Sequence, residues 1–243
     1  MKKILLASLI GVVSSHALAQ QDIKFVMEAT YPPFEFMDEN NQIQGFDVDL
    51  ANALCDEMKA NCTFHNQAFD SLIPALKFKR YDAAISAMDI TEARLEQVNF
   101  SNAYYDNSAA FISLEGKVAD QADLKGKRVG VQNGSTHQSY LIEQMPGVTA
   151  VPYSSYQDAF LDMKNGRIDS VFGDNAVVAE WFKRDDNLAY VGDNITNAKY
   201  FGNGFGIAVN KDNQALTDKL NSALKVVMAN GVYEEIYTQY FGK

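Results

Sequence analysis

The sequence predicts an α/β fold in which each of two lobes carries a small, mostly parallel sheet flanked by helices. Three observations predict it. Strand-like and helix-like patterns alternate through the first part of the chain, and a second alternation starts after the polar stretch at 106–108. Loops rich in aromatic and charged residues fall where predicted strands end. In open sheets of this kind, ligands sit beyond the carboxyl ends of the strands.

Residues 23–29 read as a buried strand running into a Tyr31-Pro32-Pro33 loop, where proline fixes φ and restrains its predecessor. Val48, Leu50, Ala51, Leu54 and Met58 keep close to helical spacing, so Gly45-Phe46-Asp47 opens a helix over 47–58. A strand at 63–67, a short helix at 71–79, a strand at 81–87 and a helix at 91–98 continue the series. The second series has strands at 109–114 and 128–132, a helix from Thr136, a strand at 150–153, a helix at 157–165 and a strand at 170–173. A helix at 175–184 and strands at 189–191 and 206–209 lead to terminal helices at 215–229 and 233–240. No internal repeat, low-complexity tract or long linker interrupts the pattern.

Lys2 and Lys3 precede an apolar run from Ile4 to Val13, and Ala17-Leu18-Ala19 has the small-x-small form of a secretory cleavage site. This predicts a signal peptide over 1–19, cleaved near Ala19, and a product soluble outside the inner membrane. The run is shorter than the roughly 20 residues a spanning helix needs. No Cys follows it closely, so lipid attachment is not expected.

Cys55 and Cys62, in an exported chain, read as a disulfide stapling a helix end to the next strand. His65 alone does not complete a zinc site, so no metal is predicted. The formal charge of −10, which loss of Lys2 and Lys3 makes more negative, disfavours phosphate or nucleic-acid partners. At 47% hydrophobic the chain has core enough for one large domain or two lobes. No P-loop, dinucleotide fingerprint or HExxH zinc motif is present, and no cofactor is expected.

The chemistry concentrates in four runs: Glu28 to Glu35, Gly45 to Leu50, Phe69 to Leu76, and Tyr81 to Arg94. In this order they supply aromatic plates, carboxylates and one arginine on a turn, and the chain resembles the polar amino-acid-binding proteins of bacterial ABC importers. Within these it is most similar to the arginine-binding subgroup. The resemblance covers essentially the whole mature chain and implies the two-lobed periplasmic binding protein type II fold, joined by two hinge strands. It implies a discontinuous first lobe, 20–106 plus 204–243, around a second lobe, 107–203. Glycines 202, 204 and 206 would ease rotation between lobes or serve packing and turns.

The family pattern makes Arg94 the carboxylate-binding arginine, suited to it by its planar fork of donors. Thr136, at a helix start whose N–H groups favour anions, would complete that grip or simply cap the helix. Asp174, at a strand end, accepts an α-ammonium or caps the helix from Asn175. Ser86 and the Ala87 carbonyl are further ammonium acceptors. Tyr31 and Phe69 match the family's stacking positions for a flat guanidinium, and Glu28 lies where binders of basic amino acids place an acid. Asp89 departs from the hydroxyl residue common in relatives; it faces a positive group or caps the Thr91 helix. Gln132 lines the side-chain end. Phe34 and Trp181 read as core, and His137 as a polar rim or capping residue.

The resemblance thus implies a non-enzymatic receptor in the periplasm that captures L-arginine or another basic amino acid and delivers it to the membrane permease of an ABC importer. A monomer is the default. The alternatives are a lysine, ornithine, histidine or glutamine binder of the same family, or a periplasmic enzyme similar to cyclohexadienyl dehydratase with Glu28 as proton donor. A sensory module of a larger receptor is not expected, since no spanning or signalling segment follows Lys243.

Overall fold

The computed structural model describes residues 21–242, so the expected signal peptide and its cleavage point lie outside the described residues. The chain opens with β1 (Asp22–Met27), followed by β2 (Thr30–Tyr31), β3 (Glu35–Met37) and β4 (Ile43–Gln44). Next come α1 (Phe46–Met58), β5 (Asn61–Asn66), a 3-10 turn at Phe69–Ser71, α2 (Leu72–Lys77), β6 (Ala83–Ala84), α3 (Glu92–Leu95) and β7 (Val98–Phe100). A second series holds β8 (Ala109–Leu114), β9 (Arg128–Gln132), α4 (Thr136–Gln144), β10 (Thr149–Tyr153), α5 (Tyr156–Lys164), β11 (Ser170–Asp174), α6 (Asn175–Phe182) and β12 (Leu188–Tyr190). The chain closes with β13 (Ala208–Asn210), α7 (Gln214–Ala229) and α8 (Val232–Phe241).

Two five-stranded sheets organise these elements, in the orders β5-β1-β6-β13-β7 and β10-β9-β11-β8-β12. β1 runs parallel to β5 and β6, and β9 parallel to β10 and β11. β13 and β8 are antiparallel to both of their neighbours. One strand per sheet is therefore reversed, and in each case it is the strand built as the chain arrives from the other lobe. The crossing segments pair with one another through a bridge between Tyr105 and Phe205. A separate antiparallel sheet, β2-β3-β4, leans over the start of α1.

The structure refines several predicted elements. The strand expected at 81–87 pairs only at Ala83–Ala84, because the backbone turns away and reaches a left-handed φ of 42° at Ala87. The helix expected at 91–98 stops after Leu95, and Val98–Phe100 returns to the sheet edge as β7. Three residues with a buried-intermediate-buried pattern are too short to signal a strand by alternation. The two-residue strands β2 and β4 were invisible for the same reason.

Phe25, Val26 and Met27 are fully buried at the carboxyl end of β1, with residues on both faces of the sheet in core clusters. α1 and α7 cover one face, and α2 contributes Leu72 and Leu76 to the other. Cys55, in the last turn of α1, is bonded to Cys62 in β5, with Cα atoms 6.3 Å apart. Between them Lys59 takes a left-handed φ of 52° and ends the helix, as a chain reversal into the next strand requires. Replacing both cysteines by serine should lower stability by about 2 to 3 kcal/mol, the loop-closure entropy of so short a ring. Urea unfolding with and without reductant measures it, and the wild type in reductant should match the double variant.

Candidate ligand-binding cleft

The cleft is assembled from strand ends and their following turns. Glu28 follows β1, and its backbone N–H donates to Ser86 Oγ (3.0 Å), tying the turn after β1 to the turn after β6. Gly45 has φ 132°, and a Cβ there would lie 2.2 Å from the Phe34 carbonyl oxygen. The missing side chain lets the start of α1 dock on the β2–β3 turn, where Phe46 and Asp47 donate N–H bonds to the carbonyls of Pro33 (3.0 Å) and Phe34 (2.9 Å). Asp47 Oδ2 then accepts from the Ala87 N–H (2.8 Å) and the Tyr104 hydroxyl (2.9 Å). A left-handed φ is strained for alanine. Here the buried carboxylate holds it in place.

Thr91 caps α3 by accepting from the Arg94 N–H, so the Arg94 side chain leaves a fixed first turn. Its Nη1 donates to the Asp89 carbonyl (2.9 Å), and its Nη2 reaches across the lobes to the Gly134 carbonyl (3.4 Å). The guanidinium carbon stands 5.4 Å over the Phe69 ring, so one face of Phe69 already carries a cation.

The lobes meet through hydrogen bonds aimed at acids. Thr136 donates to Asp89 Oδ2 (2.7 Å), Gln132 Nε2 to Glu28 Oε2 (3.0 Å), and the Tyr31 hydroxyl to Asp174 Oδ2. Asn107, on the crossing segment, donates from Nδ2 to both Asp89 Oδ1 (2.8 Å) and Asp174 Oδ1 (2.5 Å). The space these residues enclose is about 10 Å³, far less than an amino acid occupies. Any ligand there must exchange with these cross-lobe bonds.

Among the predicted residues, Tyr31, Phe69, Ala87, Asp89, Arg94, Gln132, Thr136 and Asp174 line this space. Glu28 lies behind Gln132, and the Ser86 hydroxyl turns away to donate to Glu35 Oε1 (2.6 Å). The capping alternatives give way. Ser135 caps α4, Thr91 caps α3, and Asp174 makes no side-chain cap to α6, leaving the Thr136, Asp89 and Asp174 side chains to the cleft.

His137 is not a rim or capping residue. It is buried edge-on to Phe172 (4.9 Å), with Nε2 3.2 Å from Asp174 Oδ1 but without hydrogen-bond alignment. Trp181 stacks on Phe160 at 3.8 Å as packing, though it remains partly exposed, and Phe34 is fully buried core. Asn107, Glu35 and Asp47 escaped the sequence reading as site residues. Glu35 and Asp47 stood inside its motifs, whereas nothing local marks Asn107.

Charge in this region is lopsided. Glu28, Glu35, Asp47, Asp89 and Asp174 are buried, and Arg94 is the one buried lysine or arginine among the described residues. Burial pushes Asp89 up to about 7, helped by the neighbouring Asp174 charge and opposed by Arg94, His137 and Asn107. Burial also raises Glu28 against the bonds from Thr30 and Gln132. It lowers Arg94, which Asp89 and Asp174 support. A buried anion without a partner is costly, so this cavity favours a cation.

Residues 23–243 match the model of the bacterial extracellular solute-binding proteins, family 3. The chain is 57% identical to a putative ABC transporter arginine-binding protein 2 of Escherichia coli K12, covering 100% of both. It is 51% identical to an arginine-binding periplasmic protein of Mannheimia haemolytica, covering 100% of this chain and 99% of the relative. A solved Salmonella typhimurium periplasmic binding protein, described as having high arginine specificity, superposes with a TM-score of 0.88 at 46% identity, covering 91% of this chain and 99% of that one. A solved ancestral arginine-binding protein bound to arginine gives 0.85 at 37% identity, covering 92% and 99%.

Removing the shared donor tests the geometry alone. Asn107→Ala leaves two adjacent buried acids without it and should cost about 1 to 3 kcal/mol of stability. Urea unfolding should show a larger loss at pH 8 than at pH 5, where protonation of Asp89 relieves the repulsion.

Proposed function

The chain belongs to family 3 of the bacterial extracellular solute-binding proteins, and from that premise we propose a periplasmic receptor that captures L-arginine between its lobes and hands it to the permease of an ABC importer. The observation that carries this reading is the burial of Glu28, Asp89 and Asp174 with a single arginine at the cleft. A neutral zwitterion such as glutamine would leave that excess uncompensated. Arginine brings a carboxylate for Arg94 and two cationic groups for the acids.

In this reading Arg94 grips the α-carboxylate with its fork of donors, and Thr136 closes on it from α4. The α-ammonium sits between Asp89 and Asp174, where the Asn107 amide nitrogen now donates to both. Ala87 offers its carbonyl from the strained turn. The guanidinium lies between Tyr31 and the free face of Phe69, and its far end meets Glu28 and Gln132. The lobes, 20–106 with 204–243 and 107–203, swing about the two crossing segments. Closing then trades hydrogen bonds among protein groups for hydrogen bonds to the ligand, so every buried charge ends paired.

Calorimetry on the mature protein, freed of copurified ligand, should show arginine binding most tightly among arginine, lysine, histidine and glutamine. No heat and no thermal upshift with millimolar arginine would overturn the reading. Arg94→Ala should abolish binding of all four. Glu28→Gln should weaken arginine and lysine about 10- to 100-fold, the value of a hydrogen bond to charge, and spare glutamine.

Affinity should also depend on pH with a defined sign. The ligand cation selects ionised Asp89, whose proton is held up to about 7 without it. Binding near neutrality therefore releases protons, and the dissociation constant rises as pH falls from 8 to 5. Titrations in two buffers of different ionisation enthalpy measure the released proton directly.

A further inference from the structure

Behind the cleft, Glu35 and Asp47 meet inside the protein core. Both are fully buried. Glu35 Oε1 accepts from Ser86, and Asp47 Oδ2 accepts from Ala87 and Tyr104. The other oxygen of each, Glu35 Oε2 and Asp47 Oδ1, is buried with no donor among the described residues. The two carboxyl groups lie within hydrogen-bonding reach of one another. Two buried carboxylates in contact, each with an orphaned oxygen, are not a stable arrangement.

We propose that Glu35 and Asp47 share one proton, carried on Glu35 Oε2 and donated to Asp47 Oδ1, and that this acid–carboxylate pair is the positioning device that holds the Ser86–Ala87 turn in its ligand-gripping shape. One proton satisfies both orphaned oxygens. It also fixes roles at the other two: Glu35 Oε1 receives the Ser86 hydroxyl, which in turn accepts the Glu28 N–H, and Asp47 Oδ2 remains charged to hold the Ala87 N–H. The left-handed Ala87 and the spacing between the two strand ends thus depend on a pair that never touches ligand. The placement follows from Gly45, whose bare Cα lets α1 bring Asp47 onto the β2–β3 turn beside Glu35.

The charged and titratable groups facing the pair are Glu28 at the end of β1, Tyr104 on the first crossing segment and Tyr233 of α8. Glu28 repels a second charge on Glu35, and the two tyrosines remain neutral donors or bystanders, so nothing nearby stabilises a doubly ionised pair. Burial and the Asp47 charge hold the Glu35 proton well above its ordinary 4.5. The unfolded chain loses that proton above its ordinary value while the native chain keeps it. Stability from this group therefore falls as pH rises from about 5 towards the native value.

The binding arm of the test rests on the arginine reading, whereas the stability arm stands without it. Glu35→Gln keeps an acceptor for Ser86 and a donor for Asp47 and cannot titrate, so it should remove this part of the decline in stability between pH 5 and pH 8. It should also keep arginine affinity within about three-fold of wild type. Glu35→Leu, which offers neither group, should weaken arginine binding at least about ten-fold while leaving its preference over lysine unchanged. At pH 7.5 the infrared carbonyl absorption of protonated carboxyls should be weaker in Glu35→Gln than in wild type by the contribution of one carboxyl.

The proposal is overturned if Glu35→Gln leaves the pH slope unchanged, if it leaves the carbonyl absorption undiminished, or if Gln and Leu weaken binding equally. Absence of arginine binding in wild type would overturn the arginine reading instead. The pH slope and the infrared band would then still decide the pair.

Discussion

The structure turns on a surplus of buried negative charge at the junction of two lobes. Glu28, Asp89 and Asp174 share the cleft region with one arginine, Glu35 and Asp47 lie a layer behind, and each acid has a donor: Gln132 for Glu28, Thr136 and Asn107 for Asp89, Tyr31 for Asp174, Ser86 for Glu35, and the strained Ala87 N–H for Asp47. Stability alone gives no reason for such a cluster, since apolar residues of similar volume serve a core as well or better. A ligand carrying opposite charge does give one. The same acids that are a liability between empty lobes become the source of selectivity once two cationic groups lie among them.

Most of the architecture was legible in the sequence because it rests on signals that survive without tertiary context. The apolar spacing from Val48 to Met58 and the alternation of strand and helix place α1 and the two sheets, and the motifs place Arg94, Asp89, Thr136 and Asp174 on turns that converge. What stayed hidden depends on contacts made across the chain. Asn107 matters because the crossing segment brings it between acids from both lobes, and His137 is buried because Phe172 and Phe201 close over it. β7 is three residues long, and the strand at 83–84 is shortened by a backbone turn that no side-chain period announces.

Glu35 and Asp47 show a different kind of blindness. Both lay inside runs singled out from the sequence, yet an acid in a motif reads first as a ligand contact. The fold places them one layer back, where they define the backbone rather than meet the solute. Gly45 is the connecting residue. Any side chain there would collide with the Phe34 carbonyl, α1 would lift from the β2–β3 turn, and Asp47 would lose Ala87. A glycine, two acids and an alanine in a left-handed conformation are thus one device, with its parts spread over β3, the start of α1 and the turn after β6.

Closure and recognition then become a single equilibrium. Bonds from Tyr31, Gln132, Thr136 and Asn107 to cleft acids join the lobes, and apart from Asn107 these side chains are groups proposed to bind the ligand, while Asn133 to Asp70 (2.6 Å) joins the lobes among exposed residues. Opening therefore costs these bonds, and a solute that replaces them recovers the cost while adding charge pairing that the protein's own neutral donors lack. An amide nitrogen between Asp89 and Asp174 supplies hydrogen bonds but no compensating charge; an ammonium supplies both. Because the difference is electrostatic and set among buried residues, it is much less screened than a surface pair would be. That is why selectivity for a cationic amino acid can arise from exchanging one donor for another, with no need for a larger contact surface.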